Sequence, residues 1–180
     1  MVQELSLYGV VAEQEQPIFL SALTSWSGMR PREFQEHILC WEPTYPFRPK
    51  LAAGQVNQIE QYRIFARQND PLCRPFQENK QALSQEKWEI SVHEVPEAGQ
   101  ALKLISQSVL TTPIHEGDPF DFLATLGYTY KDEYWVKGYE FVIKNVVLRI
   151  FRILTCSADQ LSLADPSKQF LVKAHISCKT

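Results

Sequence analysis

The residues of this 180-residue chain that could do chemistry are few and widely spaced. Glu13 and Glu15, flanking Gln14, put two carboxylates on one side of an extended segment. Inside a polar β-barrel such a pair could begin a divalent-cation site, and a metal held there could support hydrolysis of a triphosphate. That chemistry needs further carboxylates on later strands, and no second glutamate pair of this kind follows. The same two acids stand just ahead of a helix expected from Pro17, whose N-terminal dipole favours negative charge, and this is the preferred reading.

The other candidates are weaker as catalysts. His37, His93, His115 and His175 are each isolated, with no zinc-type spacing to one another or to a cysteine. There is no glycine-rich phosphate loop and no nucleophile elbow. Neither a metal nor another cofactor is therefore expected. Arg149 and Arg152 sit in the most apolar run of the chain on opposite parities, so they point opposite ways. One is expected to face solvent and the other to meet a carboxylate, with Asp132 and Glu133 the nearest acids on the adjoining run. The aromatics Tyr128, Tyr130, Tyr134, Trp135 and Tyr139 could form a stacking platform for single-stranded nucleic acid. Around them Lys131, Lys137 and Lys144 only balance Asp132, Glu133 and Glu140, and the whole chain carries a net charge of -3. That balance argues against direct nucleic-acid binding and favours a protein interface.

These side chains must be positioned by strands for the most part. Asp118 is a good N-cap, Pro119 fits the first helical position, and Phe120, Phe122, Leu123 and Leu126 form an apolar stripe ended by Gly127. Aromatic and β-branched residues follow, with turns expected at Gly138 and at Lys144-Asn145. Earlier in the chain, Glu4 to Ala12 reads as a strand and Pro17 to Met29 as a helix with Phe19, Leu20, Leu23 and Trp26 on one side. Phe34 to Trp41, Val56 to Arg67, Trp88 to His93 and Leu104 to Thr111 read as strands, and Phe170 to Cys178 as the last. Glu42 to Gly54, Gln68 to Gln85 and Cys156 to Lys168 read as loops.

The run Val146 to Leu154 is apolar on both parities apart from its two arginines. A strand covered on one face alternates, so this one needs cover on both. Its expected contact residues for a protein partner are Val147, Phe151 and Ile153.

Strands following strands without helices between them predict a mainly antiparallel sheet, closed into a barrel with two or so helices packed on it or plugging it. The fold class is thus α+β, in a single β-barrel domain over residues 1–180, with strand interiors mostly apolar. No apolar run is long enough for a membrane span, and the N-terminal sequence lacks the features of a signal peptide. Cys40, Cys73, Cys156 and Cys178, scattered and without a C-x-x-C pair, are expected to be reduced, in cytosol or nucleus.

The run from Asp121 to Leu154 also resembles a known family. Asp121-Phe122-Leu123, Gly127-Tyr128, Glu133-Tyr134 ahead of Val136-Lys137-Gly138, and Ile150 to Leu154 look like the signature of subunit 18 of Mediator, as does Leu5-Ser6-Leu7-Tyr8-Gly9. Mediator is the coactivator of RNA polymerase II transcription, and subunit 18 belongs to its head module. The resemblance implies a non-catalytic nuclear protein built as a barrel with helices. It also implies a C-terminal helix of Mediator subunit 8 and the related barrel of subunit 20 as partners, with the polymerase machinery reached through the complex. The family's barrel is similar in shape to the tunnel-type RNA triphosphatases. That likeness makes a metal-dependent RNA or polyphosphate triphosphatase the alternative function, with Glu13 and Glu15 as the one sign of it.

Overall fold

The computed structural model describes residues 2–45, 63–70, 72–94, 104–157 and 160–179. In chain order these form β1 (Val2–Val11), α1 (Gln16–Ser27), β2 (Arg32–Pro43), β3 (Ile64–Asn69), α2 (Phe76–Leu83), β4 (Trp88–His93), β5 (Ile105–Ile114), α3 (Pro119–Thr125), β6 (Tyr128–Ile143), β7 (Val146–Ser157), β8 (Gln160–Leu163) and β9 (Phe170–Lys179). Every pairing is antiparallel. The order β6-β2-β3-β4-β5-β1-β9-β7 returns to β6 through a β6–β7 hairpin, so eight strands close on themselves, and β8 extends β7 beyond the ring. The expected antiparallel barrel with packed helices is what forms.

The helices lie outside the barrel. α2 and α3 cover β2, β3 and β4, where Leu39, Trp41, Ala66, Trp88 and Ile90 meet Phe76, Leu83, Phe120 and Leu123. α1 covers β6, β7 and β9, where Leu23 packs with Phe141 and Ile150, flanked by Phe19, Leu20, Leu148, Phe170 and Val172. Local sequence explains the ends of two helices. Asp118 accepts from the amides of Phe120 and Asp121, and Gly127 and Gly28 take the left-handed conformation beyond α3 and α1, at φ 84° and 68°.

Several expectations are corrected. Phe76 to Leu83, placed in a long loop, is helix α2; it is polar in five of eight positions and is held by its two buried ends, Phe76 and Leu83. β8 likewise lies within an expected loop. Gly138 is not a turn but sits mid-strand in β6, where a Cβ would fall 2.1 Å from the Ile150 carbonyl oxygen. The glycine lets β7 approach β6 too closely for a side chain. Lys144 does take the turn, at φ 56°. β3 starts at Ile64; the earlier part of the strand expected from Val56, and most of the loop before it, lie outside the described residues. The cysteines are not all reduced, since Cys73 and Cys156 form a disulfide while Cys40 and Cys178 are free.

Candidate functional site

The barrel interior is charged, against the expectation of apolar strand interiors. Glu4 on β1, Glu36 on β2, Arg67 on β3, Glu89 on β4, Glu140 on β6, Arg149 on β7 and Lys173 with His175 on β9 all share the inward parity. Two interior cavities, about 530 and 390 Å³, are bordered by residues of seven and six elements respectively and share Arg67, Arg149 and His175 as lining. Each charge has an opposite. Arg149 Nη2 is 2.7 Å from Glu36 and its Nε is 3.6 Å from Glu140. Lys173 is 2.7 Å from Glu4, with His175 at 3.9 Å from the same carboxylate. Arg67 pairs with Glu89. Arg32 closes on Glu140 at the rim, at 2.7 Å.

The electrostatics follow from this packing. Burial, then the Lys173 charge, pushes the His93 imidazole below its ordinary range. Burial does the same to His175, where Lys173 and Arg149 work against Glu4. Further along the interior, burial and the neighbouring Asp132 push the Cys40 thiol up to about 11, and burial raises Tyr134 to about 12. The interior is thus a set of mutually neutralised pairs.

The sequence candidates distribute differently from expectation. Glu13 leaves the barrel wall outward to meet Arg152 at 2.8 Å, and Glu15 is the α1 N-cap without a side-chain capping bond. They do not converge on an ion. Among the described residues no three His, Cys, Asp or Glu side chains are grouped as metal ligands. Arg149 and Arg152 do point opposite ways, but both are largely buried and paired, and neither faces solvent. Each also covers a ring at 3.9 Å, Arg149 over Phe34 and Arg152 over Phe170. Their carboxylates come from β2, β6 and the turn between β1 and α1, not from Asp132 or Glu133. Glu133 instead binds His37 at 2.7 Å and caps α2 by accepting from the Phe76 amide.

Three of the five aromatics, Trp135, Tyr128 and Tyr130, pack in this chain's own core, while Tyr134 and Tyr139 are partly buried. Trp135 is fully buried and stacked on His37 at 4.1 Å. Tyr130 stacks on Phe76 at 4.7 Å. A shift in the β2–β6 register, Cys40 facing Asp132 while Trp41 faces Tyr130, makes Lys131 the extra residue and turns Tyr128 and Tyr130 outward under the helices.

The two apolar parities of β7 are also covered from within the chain. Leu148 and Ile150 lie under α1, while Val147 lines the larger interior cavity beside Arg149. Val147, Phe151 and Ile153 share the parity of Arg149 and are all partly buried. Ile153 reaches the end of the barrel, bordering a depression of about 250 Å³ with Val10, Leu163 and Leu171. β7 thus has cover from its own chain on both faces, largely partial, with Val146 at its start exposed. Apolar side chains are left open on other elements too, among them Ile18 and Trp26 on α1, 74% and 73% exposed, Tyr8 and Val10 on β1, and Phe122, Leu126 and Tyr45 around α3. Sequence reasoning missed both this surface and the charged interior. The second had a signal, because Glu89/Ser91/His93 and Lys173/His175/Ser177 are polar parities on two strands of a closed barrel.

Comparison with known proteins agrees with this geometry. The model of the family described as Med18 protein matches residues 3–180. A Mediator of RNA polymerase II transcription subunit 18 from Yarrowia lipolytica is 35% identical over 188 residues, covering 97% of this chain and 81% of that protein. The subunit 18 of Eremothecium gossypii is 24% identical, covering 98% and 81%. Among solved structures, the Schizosaccharomyces pombe Mediator head module contains a chain similar in fold, with a TM-score of 0.71 at 16% identity, covering 99% of this chain and 83% of that one. The PH1819 protein of Pyrococcus horikoshii is similar at a TM-score of 0.55 and 12% identity, covering 98% and 79%. With the family match spanning the barrel from β1 to β9, and a 35%-identical relative covered over most of its length, this chain belongs to the Mediator subunit 18 family.

Proposed function

We propose that this protein is a non-catalytic subunit of the Mediator head module, acting in the nucleus through protein contacts that support RNA polymerase II transcription. The observation that carries this reading is the family match over residues 3–180. The interior supports it as well. Glu4, Glu36, Glu89 and Glu140 are each neutralised by a cation of the same barrel, so among the described residues these four carboxylates do not stand free to hold a metal for a triphosphate. Fold does not carry chemistry with it, and barrels of this shape can serve as scaffolds.

The partners are a C-terminal helix of Mediator subunit 8 and the related barrel of subunit 20. An amphipathic helix needs an apolar surface, and two of those among the described residues suit one. One is the exposed face of α1 with Ile18 and Trp26; the other is the depression at the barrel end, where Ile153 meets Val10, Leu163 and Leu171. Contact at Val147 and Phe151 requires a segment that enters the barrel from that end. The test is co-expression of the tagged chain with the subunit 8 helix. The expected result is co-elution and a raised melting temperature, weakened by Ile153→Asp or Trp26→Ser. An unchanged melting temperature, together with no other Mediator subunit captured from nuclear extract, would refute the reading.

A further inference from the structure

Cys73 and Cys156 are 83 residues apart in the chain, and their Cα atoms lie 6.2 Å apart, within the span a disulfide bridges without backbone movement. Cys73 stands two residues ahead of Pro75, the N-cap of α2. Cys156 lies near the end of β7, paired with Leu161 of β8. The bond therefore crosses between two separate apolar layers. Phe76 and Leu83 of α2 belong to one, and Leu148 and Ile150 of β7 to the other. Both cysteines are partly exposed, open to small thiol reagents. The other two cysteines are no rivals: Cys40 is buried and held as a thiol, and Cys178 has no cysteine partner.

We propose that Cys73 and Cys156 are a reversible redox-modification site, a clip that joins the α2 layer to the β7–β8 hairpin when oxidised and frees it when reduced. The juxtaposition of the pair stands without the Mediator reading. Its reversibility rests on that reading, because a nucleus keeps protein thiols mostly reduced and makes such bonds transient. Oxidation proceeds by exchange with a low-molecular-weight disulfide such as oxidised glutathione. One cysteine thiolate attacks a glutathione sulfur and expels the first glutathione thiolate. The second cysteine thiolate attacks the protein sulfur of that mixed disulfide, forms the Cys73–Cys156 bond and expels the second. Two electrons pass to glutathione, and the two protons lost by the cysteines end on its two thiols. The hairpin so fixed carries Leu163, which borders both the depression beside Ile153 and an outer groove of about 430 Å³ with Arg152 and Phe170. Redox state thus acts on the surface next to an expected partner contact.

The test uses the purified full chain equilibrated in glutathione buffers from fully reduced to fully oxidised, quenched with N-ethylmaleimide and read by peptide mass spectrometry. Cys73 and Cys156 are expected to pass together from two alkylated thiols to one bridged pair, with Cys178 in no internal bridge. The oxidised form is expected to melt roughly 5–10 °C higher, from the long loop the bond closes. Cys73→Ser and Cys156→Ser should each fold by circular dichroism yet lose both the bridge and the shift. Two unbridged thiols in the most oxidised buffer, or a bridge that survives the most reduced one, overturns the proposal. Capture of Mediator subunits is scored separately on the reduced chain, so failure of the assembly reading leaves the thiol result distinct.

Discussion

Arg149 lies 2.7 Å from Glu36 inside the barrel, on strands whose residues are more than a hundred positions apart in the chain. The pair joins β2 to β7 across β6, and Glu140 of β6 approaches the same guanidinium at 3.6 Å. Removing one partner of a largely buried pair leaves a charge without water or counter-ion. Arg149→Ala is expected to lower stability by about 3–5 kcal/mol in urea denaturation. Replacing Arg149 and Glu36 together, by Met and Leu, should cost clearly less, because Glu140 keeps Arg32. A double-variant loss equal to the sum of the losses in Arg149→Met and Glu36→Leu alone would show that the pair is not coupled.

A second expectation concerns Gly138. Its Cβ position is blocked by the Ile150 carbonyl oxygen at 2.1 Å and by the Phe151 Cα at 2.6 Å, both backbone atoms that cannot rotate away. Gly138→Ala should cost at least about 2 kcal/mol, read as a fall in melting temperature. Gly9→Ala, on β1 with nothing within 4 Å of the added methyl, should stay within about 0.5 kcal/mol.

Helix α2 depends on a carboxylate from a distant strand. Both Glu133 oxygens accept from the Phe76 amide, at 3.1 and 3.0 Å, and the same group holds His37. Glu133→Ala leaves a helix N-terminus and a buried imidazole without their acceptor, at about 2–3 kcal/mol. Hydrogen exchange should show α2 amides losing protection before those of β6. Uniform loss across both elements would contradict a local capping role.

The interior histidines predict a pH dependence. Burial and the nearby Lys173 depress His93, and burial depresses His175, which also faces Glu4, Lys173 and Arg149. A histidine with a lowered folded pKa contributes nothing unfavourable while both states are neutral, above the ordinary imidazole value of 6.5. Below it the unfolded chain binds protons that the folded one refuses, so stability falls as pH drops from about 7 toward 5. His93→Gln with His175→Gln should flatten that slope in denaturation at successive pH values. An unchanged slope would assign it to other groups.

Much of the barrel was legible because strand alternation is a local property. His37, Leu39 and Trp41 set against Phe34, Ile38 and Cys40 gave β2 and its two faces, and Asp118 with Gly127 bounded α3. The charged interior was not legible in the same way. A polar parity reads alike whether it meets bulk water or the inside of a closed ring, so Lys173 and His175 signalled a polar face that only barrel closure turns inward. Partner identity was also hidden, since Arg149 and Arg152 find Glu36 and Glu13 only once the strands have closed. Helix α2 was missed because its composition is polar and its cap, Glu133, comes from 57 residues away. Trp26 matched the apolar stripe of α1 but lies beyond the edge of the layer that covers Leu23, so pattern alone mistook an exposed ring for a core one.

Because the helices lie outside the ring, the wall of this barrel is oily outward and ionic inward. Substitutional tolerance should follow that inversion. Inner positions can trade sign in matched pairs and keep the fold, whereas outward positions such as Ala66 and Leu39, both fully buried, admit neither charge nor bulk. Relatives of this chain are thus free to diverge at the centre of the molecule while holding constant the shell just beneath its helices.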